Sequence, residues 1–210
     1  MVSCGPMRAT CRRCLRPESF CVCAGLGPIP SRTRVVLLQH PREARLAICS
    51  AWLTRVALES CELHRGVRFE AHPRVRELAA APGAALLFPG PGAIPADAAP
   101  RSPEVLVVID GTWLQAEKML LANPALAALP RLTLAPGHES GYGALRREPE
   151  AGHLSTIEAV AHALGALERD PARFAPMVQA FRRMVELQLR CSEGERRRPR
   201  HRPPRGAAAA

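Results

Sequence analysis

The stretch from Val105 to Met119 constrains the fold more than any other part of the chain. Val105-Leu106-Val107-Val108-Ile109 is an uninterrupted apolar run rich in β-branched residues, as expected of a strand buried on both faces. It ends in Asp110-Gly111-Thr112, after which Trp113, Ala116, Met119 and Leu120 recur at helical spacing. A buried strand passing into a helix across one tight turn specifies an α/β sheet. In such sheets ligands bind beyond the carboxyl ends of the strands, where loops and helix N-termini offer free N–H groups. Asp110 stands there with its charge. Two roles are open to it: a site residue or, like Thr112, a cap on the helix.

Similar units flank this one. Val35 to Leu38 forms a second apolar run, closed by Gln39-His40-Pro41-Arg42-Glu43, and Leu46, Cys49, Leu53, Val56 and Leu63 then predict an amphipathic helix. His40, at the strand end, is either a ligand contact or a hydrogen-bonded structural residue. Ala84 to Phe88 predicts a third strand, ended by Pro89-Gly90-Pro91-Gly92, where glycines permit close backbone approach to a ligand. Ile94 to Pro103 reads as an exposed connection and Arg131 to Ala135 as another short strand. Gly137 to Gly143 reads as a loop. Ser155 and Glu158 have capping-box spacing at the start of a helix, and a final helix is predicted over Phe174 to Cys191. Neither a P-loop nor Gly-x-Gly-x-x-Gly occurs, which argues against a nucleoside triphosphatase and an ordinary dinucleotide-binding dehydrogenase.

The cysteines divide into two groups. Cys11, Cys14, Cys21 and Cys23 lie close together on short loops, whereas Cys49, Cys61 and Cys191 fall in apolar segments that read as helical. In a chain without secretory features, paired thiols at this spacing suit a tetrahedral structural zinc site. A redox pair or unliganded thiols are the alternatives, and Cys4 could replace one ligand. So short a segment cannot bury a core, so a metal would supply its folding energy. Three regions follow: a zinc knuckle over 1–30, the α/β domain over 31–191, and an Arg/Pro/Ala-rich tail over 192–210 expected to be disordered.

No run of about 18 apolar residues could span a membrane, which with the missing signal peptide predicts a cytoplasmic protein. The net charge is +10. The tail, with Arg outnumbering Glu, carries only part of it, so the body itself is basic and suits a polyanionic partner.

These residues carry a resemblance. Cys11-x2-Cys14-x-Arg16-Pro17-x3-Cys21-x-Cys23, Gln39-His40-Pro41-x-Glu43, Leu87-Phe88-Pro89, Asp110-Gly111-Thr112-Trp113-x-Gln115-Ala116, Tyr142-x2-Leu145-Arg146 and Leu154-Ser155-Thr156-x-Glu158-Ala159 follow in order along most of residues 11 to 190. Together they resemble the DTW-domain family of tRNA-uridine aminocarboxypropyltransferases, relatives of SPOUT methyltransferases. The resemblance implies a SPOUT-like, mostly parallel sheet flanked by helices, with a C-terminal knot and the N-terminal zinc knuckle. It implies transfer of the 3-amino-3-carboxypropyl group of S-adenosyl-L-methionine to N3 of a uridine in tRNA, with methylthioadenosine leaving. On this reading Asp110 is catalytic. The donor is held by Phe88, Pro89, Gly90, Gly111, Thr112, Trp113, Arg146, Leu154, Ser155 and Thr156, and zinc by Cys11, Cys14, Cys21 and Cys23. tRNA is the expected partner, with no membrane and no obligate protein partner. Where the family pattern has Gly-Thr at the start of the first helix, this chain has Cys49-Ser50. Two other readings of the same residues are an S-adenosylmethionine-dependent RNA methyltransferase and a non-enzymatic zinc-knuckle RNA-binding protein.

Overall fold

The computed structural model describes residues 9–46, 48–142 and 154–197, with side chains up to Cys191. Six strands form one sheet: β1 (Arg34–Gln39), β2 (Cys61–Arg65), β3 (Ala84–Leu87), β4 (Ile94–Pro95), β5 (Val105–Asp110) and β6 (Arg131–Thr133). Their order is β2-β1-β5-β3-β6-β4, and every pairing is parallel. The helices are α1 (Ser50–Ala57), α2 (Pro73–Ala80), α3 (Trp113–Leu121), α4 (Pro124–Ala127), α5 (Thr156–Glu168) and α6 (Pro171–Arg197).

Because side chains alternate along a strand, β1 and β5 divide their residues between two cores. Val35, Leu37, Leu106 and Val108 face α1, α5 and α6, where they meet Leu53, Ile157, Val160, Leu164 and Phe181. Val36, Leu38, Val105 and Val107 face α2, α3 and α4 and meet Val75, Leu78, Met119 and Leu126. Each fully buried side chain of this size contributes about 1.5–3 kcal/mol, and both faces are covered, as a parallel sheet requires. The same alternation turns Gln39 and Asp110, at the ends of their strands, toward the α1/α5/α6 layer.

Strand order makes that end of the sheet a crevice. The chain leaves β1 toward β2 on one side, whereas from β5 it passes beyond β3 to β6 on the other. Divergent connections from neighbouring strands open a gap above their carboxyl ends, the usual ligand position in open α/β sheets. Gln39 and Asp110 are direct register partners at its floor.

Three expectations are corrected. The predicted helix through Leu63 ends at Ala57, because Leu58 adopts extended backbone, and Cys61 and Leu63 belong to edge strand β2. Their spacing of two is that of a strand, which puts both side chains on one face. The connection from Ile94 to Pro103 is not wholly irregular, since Ile94 and Pro95 pair with β6 as the opposite edge. The last helix begins at Pro171 and runs on to Arg197, into the region assigned by composition to the tail. Asn123 does more than stop a helix: buried, it accepts from Phe69 N at 2.6 Å and donates to the carbonyls of Val67 and Met119 at 2.8 and 2.7 Å. The implied C-terminal knot involves a region of which residues 143–153 lie outside the described residues.

Candidate active site at the β1/β5 crevice

Asp110 is 6% exposed and held from two sides. Its Oδ2 accepts a hydrogen bond from Gln39 Nε2 at 2.8 Å, and its Oδ1 accepts one from the Thr156 hydroxyl at 2.5 Å. Arg65 Nε donates to Gln39 Oε1 at 3.0 Å. With its oxygen committed to Arg65, the Gln39 amide must present its NH2 to Asp110, so the guanidinium fixes the amide's orientation. The N-termini of α1 and α5 both converge here, and their free N–H groups favour negative charge. A cavity of about 40 Å³ beside the carboxylate is lined by Glu43, Cys49, Ser50, Asp110, Tyr142 and Ser155, among others.

The capping role falls to other residues. Thr112 caps α3: its hydroxyl accepts from Gln115 N at 3.3 Å while its own N–H donates to Gln115 Oε1 at 2.7 Å. Ser155 caps α5 in the same reciprocal way with Glu158, whose other oxygen accepts from Gly141 N at 2.7 Å. Glu158 thereby ties the loop after β6 to the start of α5. His40 is a turn residue, its Nδ1 accepting from Arg42 N at 3.2 Å.

The residues expected to bind a donor fall into two groups. Gly111, Leu154, Ser155 and Thr156 line the cavity with Asp110. Phe88, Pro89, Gly90 and Trp113 lie one strand away, at the end of β3 and the start of α3. The rings of Phe88 and Trp113 are 5.4 Å apart, and Arg131 sits over Phe88 while donating to Pro89 O at 3.4 Å. Gly90 has φ +145, a backbone conformation that L side chains rarely adopt, so this turn favours glycine, and the Arg131 guanidinium lies against it. Arg146 and Arg147 lie outside the described residues, as does Cys4.

Against the α1 layer, the sulfurs of Cys11, Cys14, Cys21 and Cys23 lie within 4.8 Å of one another and could hold a metal ion. Leu15, in left-handed backbone (φ 57), closes the tight turn between them, with its N–H donating to Cys11 O at 2.9 Å. N–H groups of Cys14 and Arg13 bring the Cys11 thiol down to about 6, favouring the ligating thiolate. Burial and the nearby Cys14 push Cys23 the other way. Four thiolates this close cannot coexist without a cation, so the donor set fits a soft tetrahedral metal. The knuckle is docked on the helical layer by Trp52 Nε1, which donates to Arg13 O at 3.1 Å.

The match to known sequences settles the lineage: the DTW domain pattern covers residues 8–189. The chain belongs to the DTW-domain family. A Drosophila melanogaster protein named tRNA-uridine aminocarboxypropyltransferase 2 is 32% identical over 191 residues, covering 87% of this chain and 76% of that protein. A Macaca fascicularis protein of the same name is 28% identical, covering 87% of this chain and 64% of the macaque protein. An Arabidopsis thaliana protein named tRNA-uridine aminocarboxypropyltransferase A is 26% identical, over 92% and 86% of the two chains. No solved structure matches this DTW chain.

Two side chains of this DTW site make contacts that their motifs do not reveal. Gln39 closes an apolar run, where a polar residue reads as a strand end, and its contact with Asp110 exists only through the β1/β5 register. Cys49 stands at the N-cap of α1, its Sγ 3.2 Å from Gln39 Nε2, so the departure from Gly-Thr places a sulfur against the network.

Proposed function

We propose that this DTW protein transfers the 3-amino-3-carboxypropyl group of S-adenosyl-L-methionine to N3 of a uridine in tRNA, releasing methylthioadenosine. The observation that carries it is the Gln39–Asp110–Thr156 constellation at the switch point of the sheet. The family and the names of the relatives agree with it. Glu43 and Asp110 line one cavity, and two carboxylates there favour a cationic group such as a sulfonium or an ammonium. That cavity takes a reacting group and not a nucleoside. The rest of the donor would lie along Phe88 to Gly90, Gly111 and Trp113 and toward Arg146, with Leu154 to Thr156 closing the other side.

S-adenosylmethionine supplies an activated carbon whose bond to sulfur breaks with the electron pair leaving on a neutral thioether. Asp110 accepts the N3 proton of the uridine as the new N–C bond forms. Gln39 and Thr156 hold its two oxygens so that the carboxylate keeps one orientation through the step, a preorganisation that lowers the barrier. The four-cysteine cluster holds zinc as a structural ion, as its closed, all-sulfur donor set favours.

Mass analysis of nucleosides from tRNA incubated with the protein and S-adenosylmethionine tests the reading. Uridine heavier by an aminocarboxypropyl group is the expected result. A methyl group instead would make it a methyltransferase, and a chain that binds RNA but no S-adenosylmethionine would be a non-enzymatic binder.

A further inference from the structure

Next to the crevice lies a larger cleft of about 430 Å³, between the cysteine knuckle and the helical layer. The knuckle gives it Arg16 and Phe20, α1 gives Trp52, the end of β2 gives Arg65, and α6 gives Met184. Leu46 and Cys49 line both this cleft and the cavity at Asp110, so the two adjoin. Arg65 belongs to both as well, since it reaches Gln39 and through it Asp110.

The cleft combines aromatic faces with positive charge. Trp52 and Phe20 are half-buried, so part of each ring is covered and part is open. Arg16 and Arg65 line the cleft itself; Arg12, Arg42 and Arg45 are outside the lining but near it in sequence, exposed, and among the described residues in no ion pair. Stacking surfaces beside arginine are how proteins hold unpaired nucleotides, whose bases are free of a helix. The volume falls in the roughly 300–1,000 Å³ range of pockets that take a small organic group, which admits a nucleotide and excludes a duplex.

We propose that this cleft seats an unpaired nucleotide of the RNA substrate next to the uridine that reacts at Asp110, with its base against Trp52 and Phe20 and its phosphates near Arg16 and Arg65. The inference rests on the tRNA-modifying reading above. It gives the knuckle a function beyond its own folding: it supplies one wall of the substrate site.

Steady-state transfer to full-length tRNA with saturating S-adenosylmethionine tests it in Trp52→Leu, Phe20→Leu and Trp52→Phe. Loss of a stacking base weakens binding by about tenfold or more, so both leucine variants should raise the tRNA KM by that factor. Their S-adenosylmethionine KM and zinc content should stay as in the wild type. Trp52→Phe keeps a ring but loses the N–H that docks the knuckle on Arg13, and should stay within about twofold of the wild type. A tRNA KM unmoved in both leucine variants overturns the proposal, leaving the cleft to residues 198–210 or to another protein. A rise of equal size in Trp52→Phe and Trp52→Leu overturns it too, because knuckle docking would then be the role. A wild-type chain that transfers nothing to tRNA sinks the underlying reading, and this inference with it, before any variant is compared.

Discussion

At the scale of single residues, the contrast between Asp110 and Thr112 decides what the strand-to-helix turn is for. Thr112 satisfies the helix, which leaves Asp110 to Gln39 and Thr156. Asp110→Asn can keep both contacts: its oxygen faces Gln39 and its NH2 faces the Thr156 hydroxyl, which rotates to accept. The structural loss should therefore be only about 1 kcal/mol, measured by urea unfolding. Removing the charge removes the proton acceptor, a contribution typically of about a hundredfold to ten-thousandfold. Single-turnover transfer at saturating tRNA should fall by at least about a hundredfold while S-adenosylmethionine still binds, and near-normal turnover would move the proton-accepting role elsewhere. Gln39→Leu removes one of the hydrogen bonds to the Asp110 carboxylate and takes away the acceptor of Arg65 Nε. Transfer should drop about tenfold, equivalent to roughly 1.4 kcal/mol in the barrier, with the donor KM little changed; an unaffected rate would show that Asp110 needs no such orientation.

Among the elements, helix starts are where sequence and structure agree best, because a cap is a local device. Ser155 and Glu158 announce α5 by spacing alone, and Ser155→Ala should lower stability by about 1 kcal/mol in a thermal or urea melt. The central strand and its helix were equally legible, from an apolar run and a helical period, and so was the cysteine cluster, from its spacing. Strands β2 and β4 were not. Each sits at an edge, where one neighbour and partial exposure leave no uninterrupted apolar run, and β2 shares its positions with a helical stripe. The Gln39 contact was illegible for another reason, since it depends on register between segments far apart in the chain. The α5/α6 face carries a pH response of its own. Burial first, then His138 stacked on it and Arg182, hold His162 below the ordinary histidine value. The unfolded chain then binds more protons near the ordinary value of about 6.5, so stability should decline as pH falls through that value. Urea midpoints at pH 7.5 and 5.5 should differ less in His162→Gln than in the wild type; an unchanged difference would assign the response to other groups.

For the whole molecule, charge and topology carry separate consequences. If the exposed arginines of the knuckle and loop neutralise RNA phosphates, log affinity for tRNA should fall linearly with log salt, with a slope of up to about 0.9 per contact; a flat dependence would count against an RNA substrate. No helix among the described residues is long and apolar enough to cross a membrane. The β1/β5 register brings Gln39 to Asp110, and Asp110 in turn takes its second partner, Thr156, from a still later segment. Contacts of such separation form late, because long loops must close before any reward is gained. On the ribosome, then, β1 has only β2 to pair with and β3 has no neighbour until β5 emerges, and the carboxylate stays half-assembled until α5 follows. A nascent chain halted before residue 156 can hold much of its sheet and yet possess no chemistry, so activity arrives as one of the last events of its biogenesis.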